Sequence, residues 1–362
     1  MNRITQMIQL CAVCGSLGLL SGNAAENIMT EEPVLFLTGE DGTARGNLLL
    51  EPKKILKATD TAGKRMYEEG RDFIVDAARR QIILPPGSAI QPVSDAELYP
   101  APGAPRSYDG RRNSDRFMFY SEDAWLPDRQ IRFTYRFSGD DRPKPEDGFG
   151  DIPRFRKKLL EKQPVNIAVF GDSISLGCNA TAFIKLEPFQ PVQYERFARY
   201  LRNRFGCKVD WFNFSMGGRT AVWGADNLEN LFHIHVVPDL IVLAWGMNDA
   251  SVGHTSDQFR NAIQTQMTRL KEKFPDVEFL LLSSMLPNPE WKFAGSQWFD
   301  GYSSVLRNLA DSRGVLTVDL TPFWRKIMNR KGFMSLTGNG LNHPNDFGHR
   351  IYAEALIHAF EQ

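Results

Sequence analysis

Val165-Asn166-Ile167-Ala168-Val169-Phe170 runs directly into Gly171-Asp172-Ser173-Ile174-Ser175-Leu176-Gly177. The first six residues are short, mostly apolar and β-prone, the pattern of a buried strand. Gly171-Asp172-Ser173 then opens a loop at the C-terminal end of that strand, where open α/β sheets gather their functional groups. Onward from this point, apolar runs alternate with amphipathic stretches. Strands are expected at 165–170, 209–214, 240–244, 277–282 and 315–320, and helices at 192–205, 224–231, 256–274, 296–313, 322–330 and about 346–360. This alternation predicts βα units and a mainly parallel sheet covered on both faces.

Upstream the pattern is different. In Ile131-Arg132-Phe133-Thr134-Tyr135-Arg136-Phe137 the apolar and polar residues alternate strictly, which predicts a strand in a sheet with one wet face. Further strands are expected at 34–37, 73–75, 81–84 and 116–120, with turn signals such as Glu40-Asp41-Gly42 and Pro85-Pro86-Gly87 beside them. Residues 26–137 therefore read as a small β-sandwich. Residues 138–163 begin with an aperiodic stretch rich in Asp, Pro and Gly and read as a linker, leaving 164–362 as a second domain.

Lys plus Arg equals Asp plus Glu at 43 each, so no net field draws nucleic acid or anionic lipid to this chain. Beyond the N-terminus no apolar run reaches the roughly 20 residues of a spanning helix, and no membrane insertion is expected. The N-terminus has Arg3, an apolar segment over 7–20, and then Ser21-Gly22-Asn23-Ala24-Ala25. That order is expected of a secretory signal over 1–25, cleaved after Ala24 or Ala25, which implies a secreted or periplasmic protein. Cys11 and Cys14 lack the preceding small residue of a lipoprotein signal. The mature chain keeps Cys178 and Cys207, either as a disulfide or as two buried thiols.

Four blocks carry the chemistry. After Gly171 to Gly177 come Asn213-Phe214-Ser215-Met216-Gly217-Gly218-Arg219-Thr220, then Gly246-Met247-Asn248-Asp249, then Asn342-His343-Pro344-Asn345 running into Phe347-Gly348-His349. In this order, each at an expected strand end or helix start, they resemble the SGNH branch of the GDSL esterase and lipase family. The resemblance covers 164–362. It implies a flavodoxin-like three-layer α/β/α fold and hydrolysis through an acyl-enzyme without metal or cofactor. Ser173 is then the nucleophile and His343 the base that a serine hydroxyl needs near neutral pH. The backbone N–H groups of Ser173 and Gly218 and the side-chain amide of Asn248 would form the oxyanion hole. Glycine at 218 leaves room for the substrate carbonyl, and the Asn248 amide donates without adding charge.

The chain departs from the family at the acid. Members usually place Asp three residues before the histidine, and here that position is Gly340. Asn339, or a backbone carbonyl such as that of Gly340, is the expected acceptor for Nδ1–H of His343, with Asp346, Asp172 and Asp249 as alternatives. Loss of the Asp charge lowers a peptidase rate by about 10⁴, so an ester with its better leaving group is the expected substrate. Trp223, Trp245 and Arg219 flank the second and third blocks and are candidates to line the pocket, or else core aromatics and a structural ion pair.

Rival motifs are weaker. Ser215 lacks the first glycine of a Gly-x-Ser-x-Gly elbow. His233, His235 and Asp239 have a spacing that suits a metal, but a structural role fits their place before a buried strand better. His349 is expected to pack or cap. Within the family, Gly217-Gly218-Arg219-Thr220 and the 342–349 stretch look most like carbohydrate esterases, which implies an acetylated oligo- or polysaccharide substrate. A lipid or thioester hydrolase of the same fold and an inactive glycan-binding protein are the competing expectations.

Overall fold

A computed structural model describes residues 27–361 apart from 138 and 140. The expected signal at 1–25 lies outside the described residues.

The central sheet has six strands in the order Phe149–Asp151, Val315–Val318, Glu278–Leu282, Leu240–Ala244, Val165–Gly171, Val209–Asn213. All neighbours are parallel except the edge strand Phe149–Asp151, which runs antiparallel to Val315–Val318. Setting that edge aside, the order is the flavodoxin-like 2-1-3-4-5, whose topological switch point lies between the first and third strands. Those are Val165–Gly171 and Leu240–Ala244, the strands that end at Ser173 and Asn248. Every residue of the three strands Leu240–Ala244, Glu278–Leu282 and Val315–Val318 is buried, as expected for strands covered on both faces.

The helices fall close to their expected places: Gln193–Phe205, Ser256–Lys273, Ser296–Leu309, Leu320–Lys331 and Asp346–His358. The single helix expected over 224–231 is instead two, Ala221–Asp226 and Glu229–Phe232. The first turn starts earlier because the Thr220 hydroxyl caps it by accepting from Trp223 N. It ends at Asn227, whose side chain folds back to the Trp223 carbonyl at 2.9 Å.

The N-terminal region is a small sandwich of two antiparallel sheets. One holds Ile28–Val34, Ile131–Phe137 and Pro52–Thr59; the other holds Leu37–Thr38, Ala44–Asn47, Gln81–Ile83 and Ile74–Asp76. Phe133 of the first meets Phe36 and Phe73, with ring centroids 6.3 and 5.2 Å apart. The alternation of 131–137 gives the strand correctly, but its second face is not simply wet. Arg132 is buried and pairs with Asp346 of the last helix at 2.5 Å, because that side of the strand lies against the large domain.

Residues 149–160 are not a linker. Phe149–Asp151 pairs into the central sheet and Pro153–Leu160 is a helix whose Phe155 and Leu159 are buried. Their apolar residues are too few for periodicity to reveal them. The hydrophobic core runs without a break from Met29 and Phe133 to the central strands. Across the junction, fully buried Lys331 donates to Glu32 Oε1 at 2.5 Å and to the Pro33 carbonyl at 2.7 Å. Gln130 Nε2 donates to the carbonyls of Met334 and Thr337 at 2.9 and 2.8 Å. No described helix is long and apolar enough to cross a membrane.

Candidate active site

Three loops from the C-terminal ends of neighbouring strands converge on Ser173. Asp172 caps the short helix Ser173–Leu176 by accepting from Ile174 N at 2.9 Å. Ser173 is the first helical residue, so its own N–H has no acceptor within the helix and points outward. Burial pushes the Asp172 carboxyl up to about 7.

The strand Val209–Asn213 extends its pairing beyond its end: Phe214 N donates to the Val169 carbonyl and Met216 N to the Gly171 carbonyl, at 2.8 and 2.9 Å. This register lays Gly217 against the serine, where an added Cβ would stand 3.7 Å from Ser173 Cβ. Gly218 follows with φ +72 and open space where its Cβ would be. Its glycine is therefore required by the left-handed backbone that turns its N–H, more than by crowding from a side chain.

The third loop clamps the second. Buried Asp249 accepts Ala221 N on both oxygens at 3.0 Å and His254 Nδ1 at 3.0 Å. Asn248 Nδ2 donates to the Arg219 carbonyl at 2.9 Å. That bond uses one of two amide hydrogens and fixes the direction of the other.

His343 completes the arrangement. Its Nε2 lies 2.8 Å from Ser173 Oγ, and both residues are buried. Its Nδ1 lies 2.7 Å from Asn179 Oδ1 and 3.3 Å from Glu122 Oε2. A carboxylate accepts only, so Nδ1 carries the hydrogen and Nε2 presents its lone pair to the serine.

Neither Asn339 nor Gly340 meets Nδ1, which corrects that expectation. Asn339 Oδ1 accepts the backbone N–H groups of Leu341, Asn342 and His343 at 2.9, 3.0 and 3.1 Å, while its Nδ2 donates to Glu122 Oε1 at 3.1 Å. It shapes the histidine loop and holds the carboxylate instead. Asp346 is engaged by Arg132 and Thr181. Asn179 and Glu122 escape a reading of the sequence for a simple reason. Glu122 lies 221 residues from His343, in a region with no link to the four blocks, and Asn179 falls in a loop just past the first block. A left-handed φ of +64 at Asn179, tolerated by Asn, gives that side chain its direction.

Trp245 is a core residue. It is 2% exposed, meets Phe170 edge-on at 5.0 Å and donates to Gln266 Oε1 at 3.0 Å. Trp223 is half-buried, and exposed Arg219 lies over its ring at 5.2 Å. Among the described residues Arg219 has no carboxylate partner. His349 is fully buried between Gln193 and the Cys178 carbonyl, and burial lowers it to about 3. His233 and His235 are exposed, while Asp239 is taken by Lys158 and Asn166 N. Among the described residues no group of three or more His, Cys, Asp and Glu is placed to hold a metal. Cys178 and Cys207 are free thiols.

The model of the GDSL-like lipase/acylhydrolase family matches residues 169–351. No curated protein matches the sequence. Among solved structures, the chain is similar to a two-domain esterase active on acetylated mannans, with 19% identity and a TM-score of 0.45, covering 59% of this chain and 54% of that one. It is also similar to a member of the lipolytic G-D-S-L family from Veillonella parvula, with 18% identity and a TM-score of 0.43, over 55% and 99% of the two chains. A third similarity is to a mutant of Axe2, an acetyl-xylooligosaccharide esterase from Geobacillus stearmophilus, with 17% identity and a TM-score of 0.43, over 55% and 94%. This chain thus spans about half the length of the two-domain esterase.

Proposed function

The chain belongs to the GDSL-like lipase/acylhydrolase family, and from that premise we propose that it is a serine esterase that removes short acyl groups, chiefly acetyl, from carbohydrate. The observation that carries the esterase reading is Ser173 Oγ at 2.8 Å from His343 Nε2, with Nδ1 of the same ring held by acceptors. In this reading Oγ attacks the ester carbonyl carbon while its proton passes to Nε2. The tetrahedral oxyanion faces the N–H groups of Ser173 and Gly218 and the free amide hydrogen of Asn248. Collapse breaks the bond to the sugar oxygen, which takes the proton from Nε2. Water then gives a proton to Nε2 as it attacks the acyl carbon, and the bond to Oγ breaks as Oγ takes that proton back, releasing the acid and restoring Ser173.

The carbohydrate part rests on narrower support. The Gly217-Gly218-Arg219-Thr220 and 342–349 stretches resemble those of carbohydrate esterases. Arg219 lies exposed over Trp223 beside the oxyanion glycine, a flat face with a polar edge that suits a sugar ring. The charged and then apolar N-terminus supports export. The test is acetate release from acetylated polysaccharide beside hydrolysis of 4-nitrophenyl octanoate. Preference for the polysaccharide supports the reading. Preference for the octanoate moves the chain to lipid substrates, and glycan affinity without Ser173-dependent turnover makes it a binding protein.

A further inference from the structure

The family places its acid at the position that Gly340 fills here, and the N-terminal region occupies the space that side chain would need. Gly340 has φ +84, and a Cβ there would stand 2.5 Å from Phe119 Cδ1 and 3.0 Å from the Phe119 carbonyl oxygen. Any L side chain at 340 is both strained and blocked. Three residues beyond Phe119, the same segment reaches His343. Ser121 N donates to the Asn339 carbonyl at 3.1 Å and docks the turn on the histidine loop. Asp123 accepts Trp125 N at 2.8 Å, at the first residue of the helix Trp125–Arg129. Between them Glu122 faces the imidazole.

We infer that Glu122, carried by the N-terminal β-region, replaces the family's acid as a positioning residue for His343, so that the working site is assembled from both regions. The inference rests on the esterase reading above. Asn179 Oδ1 makes the shorter bond to Nδ1, at 2.7 Å, but an amide offers no charge to the imidazolium that forms when Ser173 gives up its proton. Glu122 offers that charge at 3.3 Å and is itself held by Tyr120 OH at 2.7 Å and Asn339 Nδ2 at 3.1 Å. Burial pushes its carboxyl up, but the bonds from His343, Tyr120 and Asn339 prevail and lower it to about 2. It stays ionised through the range in which an esterase works. The other titratable groups facing the pair are Asp172, Cys178, Tyr120 and His349. Asp172 alone of these titrates near neutrality, and it does so in native and variant alike.

The test is the pH profile of 4-nitrophenyl acetate hydrolysis by the full chain, native beside Ser173→Ala, Glu122→Gln and the double variant Glu122→Gln/Asn179→Asp. Glu122→Gln is isosteric at a side chain 44% exposed, and an unchanged melting temperature verifies its fold. It is expected to lower kcat about 10- to 100-fold at unchanged KM and to move the acid limb of kcat/KM down by about one pH unit, since a neighbouring negative charge favours the protonated ring. The double variant is expected to regain rate and limb together. Asn179 Nδ2 has no hydrogen-bond partner among the described residues, so exchanging it for oxygen gives up no bond while restoring a carboxylate at Nδ1. A Glu122→Gln profile that superimposes on the native one, with Ser173 dependence intact, would overturn the inference alone. So would a fall in kcat with an unmoved limb and no recovery in the double variant, the signature of a merely structural residue. Turnover that survives Ser173→Ala would overturn the esterase reading and this inference with it.

Discussion

Phe119 packs onto the backbone of Gly340 so closely that the position cannot carry a side chain. The contact joins the N-terminal sheets to the loop that holds His343, and it predicts that Gly340→Ala does more than add a methyl group. Holding an L side chain in the left-handed backbone costs about 1–2 kcal/mol, and the clash with Phe119 adds overpacking of roughly 1–3 kcal/mol. Urea unfolding of Gly340→Ala should therefore show a loss of several kcal/mol, with kcat reduced because the His343 loop must shift. Native stability in this variant would mean that the Phe119 contact is looser than described.

Much of the hydrolase half was legible in the sequence because its signals are local. Val165 to Phe170, Leu240 to Ala244 and Val315 onward are apolar runs at regular intervals, and Ser173, Gly218, Asn248 and His343 each follow a strand or precede a helix within a few residues. What failed to show was long-range. The partners of Nδ1 lie in an Asn set by a left-handed backbone at 179 and in a Glu carried by a separate sheet region. The edge strand Phe149–Asp151 is too short to alternate and earns its place only by pairing with Val315–Val318. Arg132 reads as a solvent-facing residue of an amphipathic strand because its partner Asp346 lies 214 residues away.

The buried ion pair between Lys331 and Glu32 joins the two regions, with Tyr135 OH also donating to Glu32 at 2.5 Å. Lys331→Met removes the charge that compensates Glu32 and leaves a buried carboxylate held only by neutral donors, Tyr135 OH and Leu49 N. Breaking one side of such a pair destabilises by about 3–5 kcal/mol. Replacing both, as Lys331→Met with Glu32→Gln, should recover a large part of that loss in urea unfolding. Additive effects of the two substitutions would contradict the pairing.

Stability should depend on pH through Glu122 with a definite sign. Its folded carboxyl is lowered from 4.5 to about 2, so its contribution is present above about pH 4.5 and is lost as pH falls through about 2. Asp172, raised by burial to about 7, acts oppositely: it favours the folded state at low pH and loses that favour as pH rises through about 7. Unfolding free energies measured at a series of pH values should fall less steeply below pH 4.5 for Glu122→Gln than for the native chain. Equal slopes would exclude an ionised, hydrogen-bonded Glu122.

Asn248→Ala tests the oxyanion hole apart from the nucleophile. The Asn248 amide keeps one hydrogen on the Arg219 carbonyl and leaves the other for the proposed oxyanion. Its removal should lower kcat about 10²- to 10³-fold with little change in KM, measured on 4-nitrophenyl acetate. A rise in KM at constant kcat would place Asn248 in ground-state binding.

The most direct measurement is the initial rate on 4-nitrophenyl acetate for the native chain beside Ser173→Ala and His343→Ala. Ready acetate release by the native protein is expected, with a fall of roughly 10⁴- to 10⁶-fold in kcat for either variant, of similar size because serine and base act as a unit. Native-like rates in Ser173→Ala would contradict that expectation and send the search for the nucleophile elsewhere in the chain.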